Sequence, residues 1–158
     1  MKKLSVLLLT VFVLAIVITS CNSPPPATGW EAVAGKEWRL IEVNISDQFN
    51  RHVLFSRKEL TDDNHRNVFT ITFAGDNNLA GVAAPNRYNA PFSLGEAQSI
   101  SIMPARATQM AAIFQPERLR EHDYFTFLHN VYKWDLKDGK LVLNSKAEDE
   151  RDVAMIFE

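Results

Sequence analysis

The chain contains one sulfur nucleophile, Cys21, and its surroundings suit a single chemistry. Lys2 and Lys3 precede an uncharged run from Leu4, which ends Ile18-Thr19-Ser20-Cys21. The lysines hold the N-terminus on the cytoplasmic side and the apolar run enters a membrane. Thr19 and Ser20 then leave a peptidase unobstructed access to the bond before the cysteine. A thiol there takes up a diacylglyceryl group as a stable thioether, so residues 1–20 read as a lipoprotein signal peptide and Cys21 as the lipidation site. Each buried methylene contributes ~0.8 kcal/mol, so two or more acyl chains anchor stably where one is marginal. The competing reading is an uncleaved transmembrane helix over Leu4–Ser20, since that run nearly reaches the roughly 20 residues needed to span.

No other grouping is arranged for catalysis or metal binding. His122 and His129 lie seven apart, about 10.5 Å along a helix axis, too far to ligate one ion directly. Asp62-Asp63-Asn64-His65 offers donors without the spaced carboxylates and closing glutamate of a calcium loop. Asp76-Asn77-Asn78 sits between two alternating segments and reads as a turn. Gly-x-Ser-x-Gly, His-Glu-x-x-His and a phosphate-cradling glycine loop are all missing. The expectation is therefore no catalytic residue, no metal and no cofactor. Asn86-Arg87-Tyr88 is the stretch with two readings. The Asn86 amide can cross-link a turn, or Arg87 and Tyr88 can extend outward as a recognition edge of hot-spot residue types.

The elements that would carry these residues are mostly short strands. After Cys21, Asn22–Gly29 reads NSPPPATG, a polyproline-II tether of roughly 25 Å at about 3.1 Å per residue. Trp30–Glu158 follows as one domain, large enough to bury its own core. In Trp38–Val43, Trp38, Leu40 and Glu42 share a face. Asn44–Asn67 is polar and irregular. Phe69, Ile71 and Phe73 alternate with threonines, and Leu79–Ala83 returns as the partner strand. Arg87–Leu94 is extended with Pro91 at an edge or bend, and Ser99–Met103 alternates. Pro116 opens a helix reaching about Asn130. Its face Tyr124, Phe127, Leu128 and Val131 turns to the sheet, with Arg118, His122, Thr126 and His129 opposite. Tyr132–Leu136, an Asp138-Gly139 hairpin turn, Leu141 with Leu143, and Val153–Phe157 complete the pattern.

These segments resemble a known family. GKEWRLIEV at Gly35–Val43, FTITFAGDNNLAGVAAPNRYNAPF at Phe69–Phe92, TQMA at Thr108–Ala111 and YFTFLHNVYKWDLKDGKLVL at Tyr124–Leu143, with a terminal apolar strand, are similar to the META, or HslJ-like, domain. The resemblance implies a small α+β domain of bacterial envelope proteins, linked to stress or antibiotic tolerance, with no established chemistry. Many members carry a cysteine pair where this chain has Pro85 and Ala112. If that pair forms a disulfide in relatives, packing here must replace ~2–4 kcal/mol. Asn44–Asn67 is longer than usual for the family. The expected architecture is thus an α+β domain, a mainly antiparallel, curved, barrel-like sheet with one principal helix packed on it, preceded by the lipoprotein signal peptide.

Without residues 1–20, fifteen basic face nineteen acidic residues, a net charge of −4. Such a mixed, mildly acidic surface points to no nucleic-acid partner, which would require a concentrated basic face. The expectation is a non-enzymatic lipoprotein of the bacterial envelope that binds a protein or envelope component. It would be anchored through lipid on Cys21 to the outer membrane or cell surface in preference to the inner membrane, because Asn22 is not a retention aspartate. The alternative is a small-molecule binder with an apolar hollow lined by Trp38, Phe73, Phe127 and Trp134.

Overall fold

Ten residues of β1 (Glu37–Ser46) set the frame on which the rest is built. The computed structural model describes residues 29–60, 67–110 and 118–158. Cys21 and its tether, Asp62–His65, Ala112 and Pro116 lie outside the described residues. Trp38 and Leu40 point into the core, and a register shift against the last strand between Leu40 and Glu42 then inverts the phase. Val43 and Ile45 become the inward residues. Glu42 therefore does not share the Trp38 face; its carboxylate accepts from the Asn44 side-chain amide.

Residues 44–60 of the polar Asn44–Asn67 segment are also more ordered than their polarity suggests. β1 runs on to Ser46, and β2 (Arg51–Ser56) pairs back onto it from Ser46↔Arg51 to Glu42↔Ser56, followed by a 3-10 turn at Arg57–Glu59. The Asp47 carboxylate accepts the N–H of Phe49 (2.8 Å) and of Asn50 (2.7 Å), an Asx turn that supplies the reversal. Backbone pairing holds this hairpin, with Ile45 and Phe55 as its buried anchors.

The remaining strands are β3 (Thr70–Phe73), β4 (Asn78–Val82), β5 (Arg87–Leu94), β6 (Ile100–Ile102), β7 (Arg106–Ala107), β8 (Lys133–Lys137), β9 (Lys140–Lys146) and β10 (Asp152–Phe157). The sheet order is β6-β5-β4-β3-β1-β10-β9-β8, every pairing antiparallel, with β2 on β1 and β7 on β5. Asp76 accepts the Asn78 N–H at 3.2 Å and Asn77 adopts φ 60°, as a turn at this place requires. Asp138 and Gly139, at φ 51° and 74°, form the two-residue turn between β8 and β9. The sheet curls until its edge strands touch at the Ser99–Lys133 bridge, where the Ile100 N–H meets the Tyr132 carbonyl at 3.1 Å. It is not closed into a barrel.

The helix α1 spans Glu121–His129, shorter than the expected run from Pro116. Arg120 is extended (φ −79°, ψ 160°), and the Asp123 carboxylate folds back onto its N–H at 3.2 Å. Leu119 and Tyr124, both fully buried, occupy the two positions of a hydrophobic staple. The chain must dip to bury Leu119, so the helix begins only after it. Tyr124, Phe127 and Leu128, with Val131 just beyond, face the core as the periodicity implied. His129 Nδ1 lies 2.9 Å from the Ile102 carbonyl, and Asn130 donates to the Lys146 carbonyl at 3.1 Å. The helix thereby ties β6 to β9.

Two aromatic layers fill the curled sheet. Trp30, in a 3-10 turn at Trp30–Ala32, packs on Phe73, Phe92 and Trp134 with ring centres 5.0–5.7 Å apart. Four residues back along β3 and β5, Phe69 and Tyr88 instead meet Tyr124, at 5.0 and 5.8 Å. The chain entry thus plugs one pole and α1 the other.

Candidate functional site

Asn86 comes out as a buried node. Its Oδ1 accepts from Thr108 Oγ1 and from the Met110 N–H, both at 2.8 Å, and its Nδ2 donates to Glu121 at 2.8 Å. Its own backbone N–H reaches the same carboxylate at 3.2 Å. One side chain thus joins the start of β5, the Thr108–Met110 segment and the first residue of α1.

Tyr88 does not extend outward. On β5, Tyr88, Ala90 and Phe92 are buried in alternation, so the pleat that exposes Arg87 must turn Tyr88 inward. Tyr88 donates to the Thr70 carbonyl at 2.9 Å and lies 2.8 Å from the Tyr124 hydroxyl. Since Tyr88 gives its one proton to Thr70, Tyr124 must donate to Tyr88. Burial pushes both hydroxyls above the ordinary tyrosine range. Of the expected recognition edge, Arg87 alone is exposed.

The expected apolar hollow is likewise occupied by the core itself. Trp38, Phe73 and Trp134 are fully buried. Trp38 Nε1 donates to the Val33 carbonyl at 2.9 Å, and the Trp30 ring fills the space beside Phe73 and Trp134. Phe127 alone of the four reaches an opening.

That opening is an open cleft of about 370 Å³ between the β1–β2 hairpin, α1 and the β9–β10 turn. Its floor is Ile45, Leu54, Phe127 and Ala147; Arg118, Asp123, Thr126, Glu148, Asp149 and Arg151 line the rest. A second cleft of about 400 Å³ shares Asp149 and Arg151 and reaches Asp47, Lys146, Glu150 and Asp152. Arg151 grips Asp149 at 2.7–2.8 Å, which holds that carboxyl below its usual range. Lys146 pairs with Asp152 at 2.8 Å and is raised by that bond. The backbone N–H groups of Phe49 and Asn50 lower Asp47.

Neither cleft is lined by histidine or cysteine. His122 and His129 are both exposed, the former with Nε2 3.8 Å from Glu148. Among the described residues no three of His, Cys, Asp and Glu are placed to hold a metal ion. The first cleft offers an apolar floor beside fixed charges, and the second is lined by polar and charged side chains throughout. Sequence reading missed them because four separate segments build them. The acidic run Glu148–Asp152 was the one local signal.

The META domain profile matches residues 31–156. No curated protein matches the chain. Among solved structures, a duf4847 family protein from Bacteroides vulgatus ATCC 8482 superposes with a TM-score of 0.53 at 15% identity, covering 80% of this chain and 94% of that one. An NMR structure of a protein from Burkholderia xenovorans gives 0.55 at 15% identity, covering 86% and 92%. At such identity the likeness concerns the fold. The profile match spans nearly all of the described residues, and with the open antiparallel sheet and the one α-helix among those residues, it makes the chain a member of the META domain family.

Proposed function

We propose that this protein is a lipid-anchored, non-catalytic binding module of the bacterial envelope, tethered through Cys21 and engaging a protein or envelope component with its helix-end surface. The observation that carries this reading is polarity along β1. The chain enters beside Trp30, at the end where β1 begins. Both clefts lie where β1 ends, at Ile45 and Ser46. Ten strand residues separate the two by about 30 Å. A domain tied to a membrane at one pole presents the other to whatever it meets.

A second reading, a small-molecule binder, is favoured by the volume of the two clefts, which falls within the range of ligand pockets. Two measurements separate these ideas. In cells fed an alkyne fatty acid, the natural chain should take up label and a Cys21→Ser chain should not; label on both would sink the anchor. Crosslinking in intact cells, followed by purification of the tagged protein, should enrich one saturating partner, weakened in the Cys21→Ser control. A purified protein carrying a co-purifying small molecule and no crosslinked partner would favour the second reading.

A further inference from the structure

We infer that the helix-end cleft receives a protein segment in which an apolar side chain is flanked by lysine or arginine, a deduction that rests on the binding-module reading. The floor favours an apolar side chain. Ile45 and Phe127 belong to the main core and are held in place by it, while Leu54 and Ala147 complete the surface. Phe49, at the hairpin turn whose Asp47 and Gln48 line the second cleft, is 88% exposed. Aromatic side chains such as Phe are enriched at protein interfaces.

The charges select the flanks. Around the two adjoining clefts stand six carboxylates, from Asp47 to Asp152, against Arg118, Lys146 and Arg151, with Arg120 just outside the lining paired to Asp123 at 3.3 Å. The remaining excess of two negative charges is half of the surplus of four carried by Trp30–Glu158. Two of the three lining cations are already engaged, Lys146 by Asp152 and Arg151 by Asp149. Glu148 is open to solvent, with the His122 ring at 3.8 Å as its nearest basic neighbour, and Glu150 has no ion pair among the described residues. An arriving Lys or Arg meets unneutralised carboxylate. A phosphate backbone or an anionic headgroup surface meets repulsion, which is why a protein segment is the occupant.

The test uses the chain from residue 21 with Cys21→Ser, isotope-labelled for NMR, and two synthetic peptides, one alternating lysine and leucine and the other glutamate and leucine. The lysine peptide should move the amide signals of Thr126, Ala147 and Glu148, with an affinity that falls as salt rises. Glu148→Lys with Glu150→Lys should weaken it about tenfold while leaving signals elsewhere in place, because rim charges act through complementarity. Thr126→Trp, which fills the cleft without changing charge, should weaken it as well; if that variant fails to fold, the charge variant decides alone. Equal binding of both peptides, shifts confined to other surfaces, or indifference to the double substitution each overturns the inference. A crosslinked cellular partner that still binds the Glu148→Lys, Glu150→Lys protein also overturns it, and leaves the broader reading standing.

Discussion

Asn86 shows how one side chain can hold three chain segments, and the consequences of changing it follow from its partners. Asn86→Ala removes the shared acceptor of Thr108 Oγ1 and the Met110 N–H and one of the donors to Glu121. A loss of ~2–3 kcal/mol is expected, read as a lower urea midpoint at unchanged slope. Asn86→Asp should be worse near neutral pH, because it sets a second carboxylate where the amide lay 2.8 Å from Glu121. The Tyr88–Tyr124 pair makes stability depend on alkaline pH. Burial raises both hydroxyls, so above the ordinary value of 10.0 the unfolded chain has released protons that the folded chain keeps. The contribution is fully present below pH 10.0 and is lost as pH rises further. Urea midpoints should fall above that pH, and the Tyr88→Phe, Tyr124→Phe double variant should flatten the fall. An unchanged slope in that variant would remove the pair as its source.

At the scale of elements, Gly81 is the position where two strands and a side chain come closest. A Cβ there would overlap the Thr70 carbonyl oxygen and crowd the Tyr88 ring at 2.8 Å. Gly81→Ala should therefore cost ~1–3 kcal/mol and weaken the Tyr88 bond to Thr70, checked by thermal unfolding and by amide exchange along β3 and β4. A lone glycine inside a strand already signals such an approach in the sequence. β3, β5 and the Asp138-Gly139 turn were equally legible, because one covered face imposes a strict alternation and a two-residue reversal imposes positive φ. β2 was not, since Arg51, His52 and Val53 are all exposed and leave no periodicity to read. The helix start was hidden for another reason: its cap position is Arg120, and Asp123 three residues on supplies the acceptor. The phase slip in β1 comes from its partner β10, more than a hundred residues away. Of the candidate site, Asn86 was legible as a cross-link, whereas its partners at Thr108, Met110 and Glu121 are fixed by topology alone.

The whole molecule is a curled sheet stopped at both ends, by Trp30 and by α1. Trp30 packs inside the domain, so Trp30→Ala should cost ~3–5 kcal/mol by opening a cavity against Phe73, Phe92 and Trp134. Calorimetry of the full chain would show this, and an unchanged melting temperature would place the domain boundary later. The course of β1 between the poles has a mechanical consequence. A pull applied between the chain entry and the far surface runs nearly along β1, which pairs with β10 on one edge and with β3 and β2 on the other. Such a load strains these ladders in shear, all at once, instead of unzipping them one bond at a time. In single-molecule stretching the domain should hold its length and then give way in one abrupt step. Under the proposed anchoring, a fold so oriented would transmit tension from the membrane side to whatever the far surface binds.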